Sequence, residues 1–265
     1  MAAPSSLEAV EFLAALSGVV VGAVQGLIGG GGSVLGVPAL IYVVGLSDPH
    51  LAIGTSALAV GFSALVSLAA YVRSRHVKWR CGLAFTTAGA IGALAGSSLG
   101  MAFPGQRLVG LFGALMIVIA IAMAYGKPVG GDPHVRLDLR SASRLAPFLL
   151  AYGAGVGFLA GFFGIGGGFL AVPGLLAATD MPLIYAIGTS LIPVAVFGLT
   201  TAANYAFAGI VDWRVAGLFL AGGAIGGTLG TRLARSLAAK RGALARAFSA
   251  IVAAVGVFLI VKTSL

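Results

Sequence analysis

Apolar runs of about 20 residues recur along the whole length of this chain. At 1.5 Å per helical residue, such a run matches the roughly 30 Å hydrocarbon core of a bilayer. Of the 265 residues, 59% are hydrophobic and 9% charged, where an average soluble domain carries about 25% charged residues. No soluble core encloses that much apolar surface, and mean hydropathy is +1.08. In lipid each segment has to satisfy its own backbone hydrogen bonds, and runs this long without strict alternation exclude barrel strands. The expected fold is therefore an all-α polytopic membrane protein.

The formal charge of +9 does not point to nucleic acid, because the basic residues sit in short loops between apolar runs without aromatic interleaving. A single cysteine, Cys81, excludes an internal disulfide and a multi-cysteine metal site. No metal and no cofactor are expected. The first run, Leu7 to Ile28, begins with Glu8 and Glu11 instead of lysine or arginine, so it lacks the basic start of a secretory signal and is expected to be a retained helix.

Hydropathy divides the chain into segments near 7–28, 33–45, 51–72, 82–101 and 107–125, then 145–163, 168–178, 183–208, 214–231 and 247–262. The second segment of each set of five is too short to span the core untilted, and each follows a glycine cluster. The sets repeat one another. GLIGGGGSVLGVP at 26–38 lies over GFFGIGGGFLAVP at 161–173 with a shift of 135, and AIGTS at 52–56 over AIGTS at 186–190 with a shift of 134. The same shift of 134 places Lys78-Trp79-Arg80 over Asp212-Trp213-Arg214, and GAIGALAG at 89–96 over GAIGGTLG at 223–230. Four matches in one order mark an internal duplication. It comprises a first repeat over 1–125, a linker over 126–144 and a second repeat over 145–265.

Charge orients the copies. Arg73, Arg75, Lys78 and Arg80 form one basic cluster, Lys127, Arg136, Arg140 and Arg144 a second, and Arg232, Arg235, Lys240, Arg241 and Arg246 a third. If all three face the cytoplasm, as basic loops do, an odd number of crossings separates the second from the third. Each short segment then counts as a crossing, and five crossings per copy invert the second copy. Both termini would lie outside, with the linker in the cytoplasm. Treating the short segments as re-entrant hairpins would strand the third cluster outside.

The glycine clusters are the most informative feature: Gly29 to Gly32 before Ser33, and Gly164, Gly166, Gly167 and Gly168 before Phe169. Each glycine destabilises a helix by about 1 kcal/mol relative to alanine, so the helix breaks there. The short helix beyond each break opens with unpaired N–H groups and the positive end of a dipole, which suits an anion. Broken helices at matching positions of two inverted halves point to a transporter binding site. The alternative is that the glycines only allow close helix packing. That reading fits the scattered pairs Gly92/Gly96 and Gly226/Gly230 better than it fits the runs. Pro38 and Pro173, five residues past Ser33 and Gly168, are expected to bend the short helices.

Thr55-Ser56 and Thr189-Ser190 are expected to open the third helix of each copy, as N-caps, ligand contacts or both. Gln25 and Asn204 are further intramembrane polar side chains, read either as lining the site or as bonding between helices. Apart from Glu8 and Glu11 at the start of the first segment, none of the seven Asp and Glu residues falls inside an apolar run, which disfavours a cation carrier and favours an anion or a neutral solute. His50, His76 and His134 are placed in loops. Arg107 and Arg214 are read as snorkelling anchors.

At these residues the sequence resembles the TauE/SafE family of sulfite and sulfonate exporters, whose members share the duplicated organisation and a glycine-rich GxxGxGGGxxxVP-like motif in each half. The resemblance runs from about residue 13 to 262. It implies a bacterial inner-membrane carrier of sulfur-containing oxyanions. The first copy departs from the second in having Gly30 for Ile165 and Ser33 for Gly168, which would make the site asymmetric.

The expected function is transport of a small sulfonate or sulfite by alternating access around a midplane site. Its contacts would come from backbone amides of Gly31, Gly32, Ser33, Gly167, Gly168 and Phe169, and from side chains of Gln25, Ser33, Thr55, Ser56, Thr189, Ser190 and Asn204. An anion channel, or a carrier of another anion such as a carboxylate, is the alternative. No serine, histidine and carboxylate set lies within the apolar runs, so an intramembrane enzyme is not expected.

Overall fold

The computed structural model describes residues 6–125, 137, 141–166, 168–238 and 254–257. The first half holds α1 (Ser6–Ile28), a short segment, α3 (Pro49–Arg73), α4 (Trp79–Met101) and α5 (Gly105–Tyr125). The short segment is a 3-10 turn over Gly29–Leu35, one α turn, α2 (Gly36–Pro38), and a π turn over Ala39–Val44. The second half holds α6 (Ala142–Phe163), α7 (Gly168–Thr179), α8 (Leu183–Phe207) and α9 (Trp213–Ala238), and residues 254–257 are helical. Nine of the ten hydropathy segments thus fall on described elements. Of the tenth, only 254–257 lies among them, and nearly all of the linker lies outside them.

Five helices among the described residues, α1, α3, α4, α6 and α8, are long and apolar enough to cross a membrane. The 12 residues of α7 reach about 18 Å. The chain is an all-helical membrane protein.

Helix boundaries follow local chemistry. Asp48 caps α3, its carboxylate accepting the His50 N–H at 2.9 Å with Pro49 at the first position. Asp212 caps α9, its Oδ1 accepting the Arg214 and Val215 N–H groups at 3.0 Å. Two sequence expectations are corrected here. The helices α3 and α8 begin six residues before Thr55 and Thr189, so these threonines are not caps, and His50 stands in the first turn of α3 instead of in a loop.

The two prolines act differently in the two copies. Past Pro38 the backbone widens into a π turn that ends at Gly45, in the left-handed region at φ +88°. The corresponding Pro173 sits within α7, which stays α-helical. Losing the N–H of Pro38 frees the carbonyl four residues back, and the ladder shifts register instead of stopping.

The packing comes in matched couples. The helix α1 lies on α9 and α6 lies on α4, α3 packs on α9 and α8 on α4, while α3 and α8 pack on each other. Since α1 corresponds to α6 and α4 to α9, the first helix of each half packs on the fourth helix of the other. Small residues at four-residue spacing make this possible. A Cβ on Gly18, Gly22 or Gly26 of α1 would collide with the backbone of Phe219, Gly223 or Gly227 of α9. One on Gly153, Gly157 or Gly161 of α6 would collide with Phe85, Gly89 or Ala93 of α4. The packing role read for Gly92, Gly96, Gly226 and Gly230 holds, because each meets a backbone carbonyl of the facing helix.

The start of α3 lies beside the end of α8, where the Asp212 N–H donates to Thr55 Oγ1 at 3.0 Å. The end of α3 lies beside the start of α8, where the Lys78 N–H donates to Thr189 Oγ1 at 2.9 Å. At one surface Arg214 pairs with Glu11. The Arg214 side chain is 71% exposed, so Glu11→Gln is expected to change stability by less than about 1 kcal/mol. A thermal melt of the variant in detergent checks this.

Candidate anion site at the paired glycine breaks

The helices α1 and α6 end at equivalent points, and the next residues, Gly29 and Gly164, both adopt φ +66°. That left-handed conformation is open to glycine and strained for other residues. Each break rests on the AIGTS segment of the other half. A Cβ on Gly29 would stand 2.8 Å from the Ile187 carbonyl oxygen and 2.9 Å from Ser190 Oγ, and one on Gly164 would collide with the Ile53 side chain. The 3-10 turn Gly29–Leu35 also packs on α7, which brings the two breaks side by side.

Around this junction the backbone is closely approached from several directions. A Cβ on Gly166, at φ +63°, would stand 3.4 Å from the Val60 side chain and 3.5 Å from the Gly198 Cα. A Cβ on Gly36 would stand 3.2 Å from the Ser56 Cβ, and Gly32 packs on the backbone of Gln25. Gln25, Ser33, Ser56 and Ser190 are all buried. The Gln25 side chain donates through Nε2 to the Val60 carbonyl at 3.1 Å, and its Oε1 has no hydrogen-bond partner. Gly31 lies within the 3-10 turn, Gly168 opens α7, and Gly167 lies outside the described residues.

The hydroxyls divide by role. Ser56 and Ser190, near the breaks, donate to the carbonyls of Ile53 at 3.1 Å and Ile187 at 2.8 Å. Thr55 and Thr189 accept the loop N–H groups of Asp212 and Lys78. Beside them, a Cβ on Gly54 or Gly188 would collide with the carbonyl of Ile210 or His76. AIGTS is thus an interlock that holds a loop of one half on a helix of the other. Phe169 turns its ring into the apolar core, edge-on to Phe112 at 5.8 Å, so only its backbone amide is available to the junction.

Asn204 donates to the hydroxyls of Ser97 at 2.8 Å and Ser98 at 3.0 Å on α4. Its alternative reading, bonding between helices, is the one the structure gives. Sequence reasoning missed Ser63, Ser67 and Thr201, whose hydroxyls are buried without a hydrogen-bond partner. The available signal was the four-residue spacing of Ser63, Ser67 and Tyr71 on one face of α3.

Among the described residues every buried polar side chain is neutral, and no group of three or more His, Cys, Asp or Glu is arranged to hold a metal ion. The junction therefore offers backbone amides, hydroxyls and one amide side chain. An anion takes only donors, so the backbone amides are the groups that suit one that must also be released, since Ser56 and Ser190 give their protons to carbonyls. A separate cleft of about 400 Å³ lies between α1, the Gly29–Val44 segment and residues 254–255, but its walls, including Leu16, Val20, Leu35 and Val43, are almost all hydrocarbon and unsuited to an anion.

The family model described as sulfite exporter TauE/SafE matches residues 14–259. The chain belongs to the TauE/SafE family of sulfite exporters. The match takes in both glycine breaks and both AIGTS segments. A "Probable membrane transporter protein" of Xylella fastidiosa (strain 9a5c) is 47% identical over 244 residues, 92% of each chain. A relative of the same description from Bacillus subtilis (strain 168), YunE, is 29% identical over 240 residues, 84% of this chain and 88% of its own. No solved structure matches this TauE/SafE family member. It is a multi-pass membrane transporter, of a transporter and not an enzyme family.

Proposed function

We propose that this transporter exports a small sulfur oxyanion, a sulfonate or sulfite, by alternating access around the paired glycine breaks. The observation that carries the reading is the pairing itself. Two breaks with the same left-handed glycine, Gly29 and Gly164, lie against each other's AIGTS segments, where uncharged backbone N–H groups of the breaks lie in a buried setting. The contact atoms in this reading are the amides of Gly31, Gly32, Ser33, Gly167, Gly168 and Phe169, with the side chains of Gln25, Ser33, Ser56 and Ser190.

Inverted repeats, divided at 1–125 and 145–265 by a cytoplasmic linker, are supported by the opposed directions of α3 and α8 and by the paired bonds at Thr55 and Thr189. In that arrangement rocking of one half on the other exposes the site to each side in turn. Both termini then lie in the periplasm of a bacterial inner membrane.

Counterflow in proteoliposomes with a panel of sulfite, sulfonates and carboxylates tests the substrate, and titration of the preferred anion into purified variants tests the site. Gly166→Leu and Ser33→Ala are each expected to weaken binding of that anion about tenfold or more, equal to about 1.4 kcal/mol. Unchanged affinity in both folded variants, or counterflow of carboxylates alone, sinks the reading.

A further inference from the structure

Gln25, Ser63, Ser67 and Tyr71 form one buried polar line along α3, from Gln25, which packs on Gly32, towards a basic mouth. Ser63, Ser67 and Tyr71 are spaced four residues apart and share a face of α3. Gln25 of α1 joins them at the inner end through its bond to the Val60 carbonyl. At the outer end the Tyr71 hydroxyl donates to the Gly26 carbonyl at 3.1 Å, two residues before Arg73 and the cluster that continues through Arg80. Helical serines ordinarily donate to a carbonyl three or four residues back, as Ser56, Ser97, Ser98 and Ser190 do here. Ser63 Oγ, Ser67 Oγ and Gln25 Oε1 have no hydrogen-bond partner although all three residues are buried. Buried polar groups without partners are unfavourable and call for a reason.

Across the two serines, α9 presents glycines. A Cβ on Gly223 would collide with the Ser63 hydroxyl, and one on Gly227 would lie 2.7 Å from the Ser67 hydroxyl. The corresponding seam of the second half is less polar. Ala160 stands where the first half has Gln25 and Phe197 where it has Ser63, while Thr201, also buried without a partner, stands where it has Ser67. The Phe197 ring packs against Gly89 and stacks on Phe85 at 6.5 Å, filling the middle of that seam.

We infer that the Gln25–Ser63–Ser67 seam is the path by which the anion passes between the glycine breaks and the mouth at Arg73–Arg80, shut in this conformation by α9. The inference rests on the anion site proposed above. When α9 moves off α3, the two hydroxyls can donate to water or to the anion's oxygens, and Gln25 Oε1, an acceptor, can take a hydrogen bond from water. Neutral groups conduct the anion without trapping it, and the cations at the mouth draw it along. The glycines let α9 close flush against the serines.

The test is cysteine accessibility in a Cys81→Ala background, in proteoliposomes, with a membrane-impermeant sulfonated methanethiosulfonate. Ser63→Cys and Ser67→Cys are expected to react at least tenfold faster than Ala64→Cys, buried off the seam, and Leu65→Cys, which is 42% exposed on the outer surface of the bundle. Reaction at the rate of the Ala64→Cys control overturns the seam whatever is bound at the breaks, because anion binding is read separately by titration of the same purified variants. Ser63→Ala with Ser67→Ala, which removes only two oxygens, is the second measurement. Transport is expected to fall at least tenfold while anion affinity stays within twofold, and undiminished transport overturns the path.

Discussion

Leucine at Gly157 is expected to leave no folded transporter, whereas leucine at Gly155, two residues earlier on the same helix, is expected to be silent. A Cβ on Gly157 would collide with the carbonyl and Cα of Gly89 on α4, while nothing lies within 4 Å of one on Gly155. Extra methylenes in a packed core destabilise by about 1–3 kcal/mol where side chains can adjust. Here the obstacle is backbone, which cannot rotate away, so α4 and α6 would have to separate along their length at a loss of at least about 3 kcal/mol. Gly22→Leu, the equivalent change against Gly223 on α9, should behave alike. Detergent melting curves and gel filtration of the four proteins, parent included, decide the matter. A Gly157→Leu protein that melts with the parent would mean that the interlocked packing of the halves is wrong.

Thr55→Val combined with Thr189→Val should be the second most damaging change. Each substitution keeps the shape of the side chain but removes the acceptor of a loop N–H, that of Asp212 or of Lys78. An orphaned N–H costs about 1–3 kcal/mol. The two junctions share no partner, so their effects should add, to about 2–6 kcal/mol for the pair. Thermal melts of both single variants and the double variant measure this. The alternative role, direct contact with the anion, predicts the reverse: anion affinity lost while the melting temperature stays put. The hydrogen bonds to opposite loops favour the first outcome.

The breaks were legible in the sequence because clustered glycine has a local meaning that no neighbour can reverse. Gly29 and Gly164 stop their helices wherever the rest of the chain goes. The threonines were not legible in the same way. A Thr-Ser pair following an apolar gap reads as a helix start, yet Asp48 and Pro49 start α3 earlier, and Thr55 is left to receive a loop from the other half. Asn204 misled for a related reason. A polar side chain in an apolar run needs a partner, and nothing local says that the partner is Ser97 on α4 and not a ligand. Pro38 and Pro173 show the same limit, since equal residues in equal motifs end in a π turn in one copy and an unbroken α-helix in the other.

The sequence by itself determined that this chain is helical and membrane-embedded and where its helices break at glycine, because hydropathy and glycine conformation act within a segment. Only the tertiary structure decided that the halves interlock, with α1 on α9 and α6 on α4, that AIGTS clasps loops, and that one seam is polar while its counterpart is filled by Phe197. Contacts between glycine backbones carry no side-chain identity that could name the partner. The pairing is settled by which surfaces fit when all the helices pack at once.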